Sequence, residues 1–138
     1  MKDTSIWRTP VTTRRPSSFP RSRHDLHLRP GENGRHTLYV VGHGDREAIE
    51  VFELDLGGAV PTLNWVGCAV APEALALNSV VALPERGFAA TNPRTGDVWE
   101  WSTDAEWSRV PGSEGIGPNG LEISRDGEWF YVGGYGAQ

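Results

Sequence analysis

Gly117-Pro118-Asn119-Gly120-Leu121-Glu122-Ile123-Ser124-Arg125-Asp126-Gly127-Glu128-Trp129-Phe130-Tyr131-Val132-Gly133-Gly134 reads as strand, tight turn, strand. Leu121 and Ile123 alternate with polar neighbours, the pattern of a half-buried strand. Arg125-Asp126-Gly127 is a turn, because Asp tolerates the bend and Gly supplies a positive φ. Residues 129–132 are aromatic and branched, and form the returning strand. Asn119 stands just ahead of the first strand, between a Pro and a Gly that restrict its backbone.

The same pattern recurs upstream. Asn78-Ser79-Val80-Val81-Ala82-Leu83 is a strand, Pro84-Glu85-Arg86-Gly87 a turn, and Phe88-Ala89-Ala90-Thr91 a second strand. A looser copy begins with His24-Asp25-Leu26-His27-Leu28, which alternates, and returns as Thr37-Leu38-Tyr39-Val40-Val41 after a longer turn. Two more strands fit between successive copies, at residues 48–54 and 62–68, and again at 97–101 and 106–110. A four-stranded unit recurring at about 40–50 residues signs a β-propeller blade. The expected fold is therefore all-β, a partial propeller of two four-stranded blades and the first half of a third. The blade length also suits WD-repeat modules, but no Trp-Asp pair occurs.

Residues 1–23 carry six basic side chains and one acid, a charge of +5. The remaining seven basic and seventeen acidic residues give 24–138 a charge of −10. The first segment is rich in Arg, Ser, Thr and Pro and buries too little to offset its ordering entropy, so it is expected to be a disordered tail. The acidic body argues against nucleic acid as a partner. No run reaches the roughly 18 apolar residues of a membrane helix, and no secretory signal is visible, so a cytoplasmic protein is expected. The single Cys68 excludes an internal disulfide and reads as packing.

Glu50, Glu53 and Asp55 alternate with apolar residues and are expected to form a solvent face. Trp99, Trp101 and Trp107 read as core or sheet packing. Gly115-Ile116-Gly117-Pro118-Asn119-Gly120 formally matches a dinucleotide fingerprint, but a strand rather than a helix follows, so that reading is rejected.

The chemistry lies at equivalent places in the repeat. The first strand of each propeller blade lines the central channel, and His24, Asn78 and Asn119 each stand at the entry to that strand. They would converge on the axis. Asn carbonyls are hard, neutral ligands suited to Ca²⁺, which takes 6–8 oxygens. A turn-capping role explains either Asn equally well. His43, between Gly42 and Gly44 at the end of its strand, either approaches a ligand or is a solvated loop residue.

These residues resemble the regucalcin/gluconolactonase (SMP-30-like) group and its paraoxonase/arylesterase relatives, six-bladed calcium-binding propellers. The resemblance is carried by 118–121 through Asp126-Gly127 to 130–132, by 78–81 through 87–92, and by Leu38-Tyr39-Val40-Val41-Gly42-His43 with the following 47–52. It covers about residues 24–136. It implies that Asn78 and Asn119 are metal ligands, that His24 and His43 form a proton-relay pair, and that the substrate is a small lactone or ester. His24 would be the general base toward water, supported by His43. Two departures stand out. Asp25 follows His24 where the paraoxonase-like pattern has Gly, and for the acidic ligand that the family draws from before the first blade residues 1–23 offer only Asp3, the remaining ligands coming from later blades. Two and a half blades cannot close a ring of six, so a piece of a propeller is expected, with a non-catalytic binding module or an inactive fragment as the alternative to a hydrolase.

Overall fold

The computed structural model describes residues 22–84 and 87–135. The expected tail lies almost wholly outside these. Ten strands follow one another: β1 (Ser22–Arg29), β2 (Arg35–His43), β3 (Ala48–Asp55), β4 (Thr62–Val70), β5 (Val80–Ala82), β6 (Phe88–Asn92), β7 (Asp97–Ser102), β8 (Glu106–Arg109), β9 (Pro118–Ile123) and β10 (Phe130–Gly134). All ladders are antiparallel between sequence neighbours, giving sheets β1-β2-β3-β4 and β5-β6-β7-β8 and the pair β9-β10. No helix among the described residues is long and apolar enough to cross a membrane. β9 begins at Pro118, so the segment with the fingerprint glycines does open a strand.

The second sheet is buried on both faces. Val80, Ala82, Phe88 and Ala90 join Tyr39, Val41, Ile49 and Val51 of the first sheet in one core. Val81, Ala89 and Val98, of opposite parity, meet Leu121 of β9 in a second. This period of two is what allows a strand as short as β5 to serve two cores. Trp101 is buried, and Trp99 and Trp107 pack against the first core, as expected.

β1, β5 and β9 each begin a sheet and stand side by side without a shared ladder. Side chains join them instead. Asp25 accepts from the Ser79 hydroxyl and from Val80 N–H (3.2 Å), and Ala82 N–H donates to His27 Nδ1 at 3.1 Å. Arg29 donates to the carbonyls of Leu83 and Gly87, the latter at 2.8 Å. Leu121 N–H of β9 donates to Ser79 Oγ at 3.2 Å. Contacts advance in the same sense along each pair, so the three strands run parallel. β1 thus turns its polar residues toward the second sheet and leaves Leu26 and Leu28 exposed, the reverse of a strand on an apolar core.

Two expectations fail. Asn119 lies within β9 rather than ahead of it. Glu50 is not on a solvent face; it is 4% exposed. It accepts from Trp65 Nε1 at 2.7 Å and from Arg46 at 3.2 Å. Glu50 has opposite parity to Glu53 and Asp55, and β3 is buried on both faces from Ala48 to Phe52, so this end of the strand has no solvent face. Cys68 lies beside it and receives an Arg46 N–H at 3.1 Å. Burial, with Glu50 adding to it, pushes the thiol up from its ordinary value, so it stays protonated and inert at neutral pH. Glu50→Ala strands two donors, one of them charged. It is expected to cost about 1–3 kcal/mol in urea unfolding, and Glu50→Gln less. A loss below about 0.5 kcal/mol would show that water replaces the carboxylate.

Candidate functional site

The four residues singled out from the sequence fall into two touching pairs at one end of β1, β5 and β9. Ser22 pairs with His43 in the β1-β2 ladder, so His24, two residues on, stands diagonal to His43. The ladder shifts register between Arg23 and Leu26, so His24 and Asp25 together oppose one position of β2. Bulges of this kind re-aim side chains. Here the two neighbours diverge, His24 toward His43 and Asp25 toward Ser79.

His24 Nδ1 lies 2.5 Å from His43 Nε2, with ring centroids 4.6 Å apart and planes at 74°. That edge-on approach puts one ring nitrogen in line with the other. His43 is half-buried, and its Nδ1 lies 2.7 and 2.8 Å from the two carboxylate oxygens of Glu47. Glu47 Oε1 also accepts from Leu77 N–H at 2.7 Å. The result is a hydrogen-bonded line from exposed His24 inward through His43 and Glu47 to the backbone just before Asn78. His27, three residues from His24, faces the other way and belongs to the β1-β5 seam, as its spacing predicts.

Asn78 and Asn119 meet directly. The Asn78 amide donates to Asn119 Oδ1 and, at 3.1 Å, to the Asn119 main-chain carbonyl. The Thr91 hydroxyl donates to that same carbonyl at 2.8 Å. Asn78 is held by its own backbone, whose N–H donates to Thr91 O at 3.0 Å. The two side chains therefore lie against each other, and each carries a hard carbonyl oxygen. Asn78 presents its nitrogen to Asn119, so its amide would have to turn for both oxygens to ligate one calcium ion. They are too few for a whole site of 6–8 oxygens. Among the described residues no cluster of three or more His, Cys, Asp or Glu could hold a metal.

Glu47 is the member of the hydrogen-bonded line that the sequence reading missed. Its position four residues after His43 is a weak signal, and its second anchor, Leu77, lies thirty residues away. Asp25 is the other finding. Where the resemblance expects Gly, this carboxylate ties β1 to β5 and also accepts from Leu26 N–H at 2.8 Å. No protein-family model matches the chain, and no curated protein matches it.

Proposed function

We propose that the chain is part of a β-propeller and hydrolyses small lactones or esters, with His24 as general base and His43 as its relay partner. The observation that carries the proposal is the in-line contact of His24 Nδ1 with His43 Nε2 at 2.5 Å, beside the Asn78–Asn119 pair. The propeller reading is supported by the three sheet-opening strands β1, β5 and β9, which run parallel and side by side as innermost blade strands do.

In this reading His24 takes a proton from water as the oxygen attacks the substrate carbonyl. Imidazole suits the step because it titrates near neutral pH. His43 shares the charge gained by His24, and the proton returns to the leaving oxygen as the tetrahedral adduct collapses. Asn78 and Asn119 would hold calcium through their side-chain oxygens, and the bound ion supplies polarisation of the carbonyl and stabilisation of the oxyanion.

The test is release of acid from δ-valerolactone and from phenyl acetate, with calcium and with a chelator. Turnover that depends on calcium is expected. Turnover that persists through chelation removes calcium from the reading. Calcium is also expected to raise the melting temperature, since a ligand at 100 times its Kd adds about 2.7 kcal/mol to the folded state. Asn119→Ala should abolish that rise. A second reading, a non-catalytic binding module, is favoured by the short ligand set, in which Asn78 and Asn119 satisfy each other. A cooperative melt indifferent to calcium, with no turnover, would decide for it.

A further inference from the structure

We infer that Glu47 is the positioning residue of the histidine pair: its carboxylate keeps the His43 proton on Nδ1 and thereby leaves His24 Nε2 unprotonated and ready to accept from water. The catalytic half of this inference rests on the hydrolase reading; the tautomer half rests on the contacts alone.

Both Glu47 oxygens lie within 2.8 Å of His43 Nδ1. An ionised carboxylate only accepts, so Nδ1 must carry the proton. A neutral imidazole has one N–H, and His43 Nε2 is therefore an acceptor. The proton in the 2.5 Å contact then belongs to His24 Nδ1. His24 in turn keeps its lone pair on Nε2, on an exposed side chain that water reaches. Glu47 is itself held at two points, Oε1 by Leu77 N–H at 2.7 Å and its main-chain carbonyl by Ala71 N–H at 2.9 Å. The neighbouring Arg46 is turned away to Glu50 and Cys68 and does not compete for this carboxylate. The arrangement follows the logic of an acid–base–orienter triad, in which the buried acid sets the tautomer of the base.

The proton accounting closes. A water O–H bond breaks, its proton goes to His24 Nε2, and its oxygen bonds to the carbonyl carbon while the π pair moves to the carbonyl oxygen. The His24 Nδ1 proton passes to His43 Nε2, and the resulting imidazolium sits against the Glu47 carboxylate. On collapse the C–O bond to the leaving alkoxide breaks, the alkoxide takes the Nε2 proton of His24, and the shared proton returns from His43 to His24 Nδ1. The net change is water plus lactone to hydroxy acid, or water plus ester to acid and alcohol, with both imidazoles restored.

The tautomers are read directly from long-range ¹H–¹⁵N correlations of the uniformly labelled chain. Native His43 is expected with its proton on Nδ1 and His24 with its lone pair on Nε2. Glu47→Gln keeps one oxygen within reach of both Leu77 N–H and Nδ1, but it removes the charge and places an amide N–H₂ at the other position against Nδ1, and should lower the share of His43 that carries its proton there. In the lactone assay the same variant should lose on the order of 10²-fold in kcat with KM little changed. Glu47→Asp, which keeps the charge, should retain the tautomer and part of the rate. A native His43 protonated on Nε2, or a tautomer indifferent to Glu47→Gln, overturns the inference. The expected tautomers and their loss in Glu47→Gln sustain it even if the native chain turns over neither substrate, an outcome that counts against the hydrolase reading alone.

Discussion

Phe88→Ala is expected to destabilise the fold by about 3–5 kcal/mol, a large part of the roughly 5–15 kcal/mol that holds a domain of this size. Phe88 is fully buried and joins the two four-stranded sheets. Its ring stacks on Trp101 (5.4 Å, 10°), meets Trp107 edge-on (5.5 Å, 71°) and tilts against Tyr39 of β2 (5.5 Å, 53°). Removing it leaves a cavity walled by three large rings fixed in separate strands, which cannot easily close in. The adjacent Gly87 is tightly enclosed. It sits at φ +97°, and even a Cβ there would stand 2.1 Å from the Trp101 carbonyl oxygen. Trp129→Ala is the control, since Trp129 is 68% exposed and its loss should stay within about 0.5 kcal/mol. Urea unfolding followed by tryptophan fluorescence measures both. Equal, small losses from the two variants would mean that the sheets are not coupled through Phe88.

The strands were legible because period-two alternation and Gly/Asp/Asn turns are local signals. The strand pairs around Asp126-Gly127 and around residues 92–96 follow from a few neighbouring residues. Glu50 was misread because its partners are not local. Trp65 lies fifteen residues on, and the residue types within β3 do not show that both of its faces are covered from Ala48 to Phe52. β1 shows the same limit. Its leucines suggest an apolar face, yet Asp25, His27 and Arg29 make the seam, because the neighbouring strand offers unpaired backbone groups rather than apolar side chains. Within the candidate site, shared phase in the repeat singled out His24, Asn78 and Asn119. The repeat could not reveal Glu47, which belongs to a connector and is anchored by a backbone N–H from the segment that precedes β5.

His24→Gln is expected to lower kcat for lactone or ester hydrolysis by about 10²–10⁴-fold, with KM and stability almost unchanged. The separation follows from position. His24 is exposed and its ring is held by His43 alone among the contacts described, so the fold loses little with it. In the proposed function the chemistry loses the group that, among the described residues, takes a proton from water and passes charge inward. His43→Gln should cost a comparable factor in rate and more in stability, because His43 is half-buried between His24 and Glu47. Asp25→Asn gives the opposite profile. That carboxylate accepts from Ser79 O–H, Val80 N–H and Leu26 N–H, and an amide can replace only part of the set. Its loss should loosen β1 from β5 and lower the melting temperature of the free chain, with activity falling only as far as the His24–His43 contact is disturbed. Two consecutive residues within one register shift thus divide the work: in the proposed function His24 faces the substrate, and Asp25 holds the strand that carries it. A His24→Gln chain that keeps kcat within about twofold would remove His24 as the base, and with it the reason for reading the histidine contact as a relay.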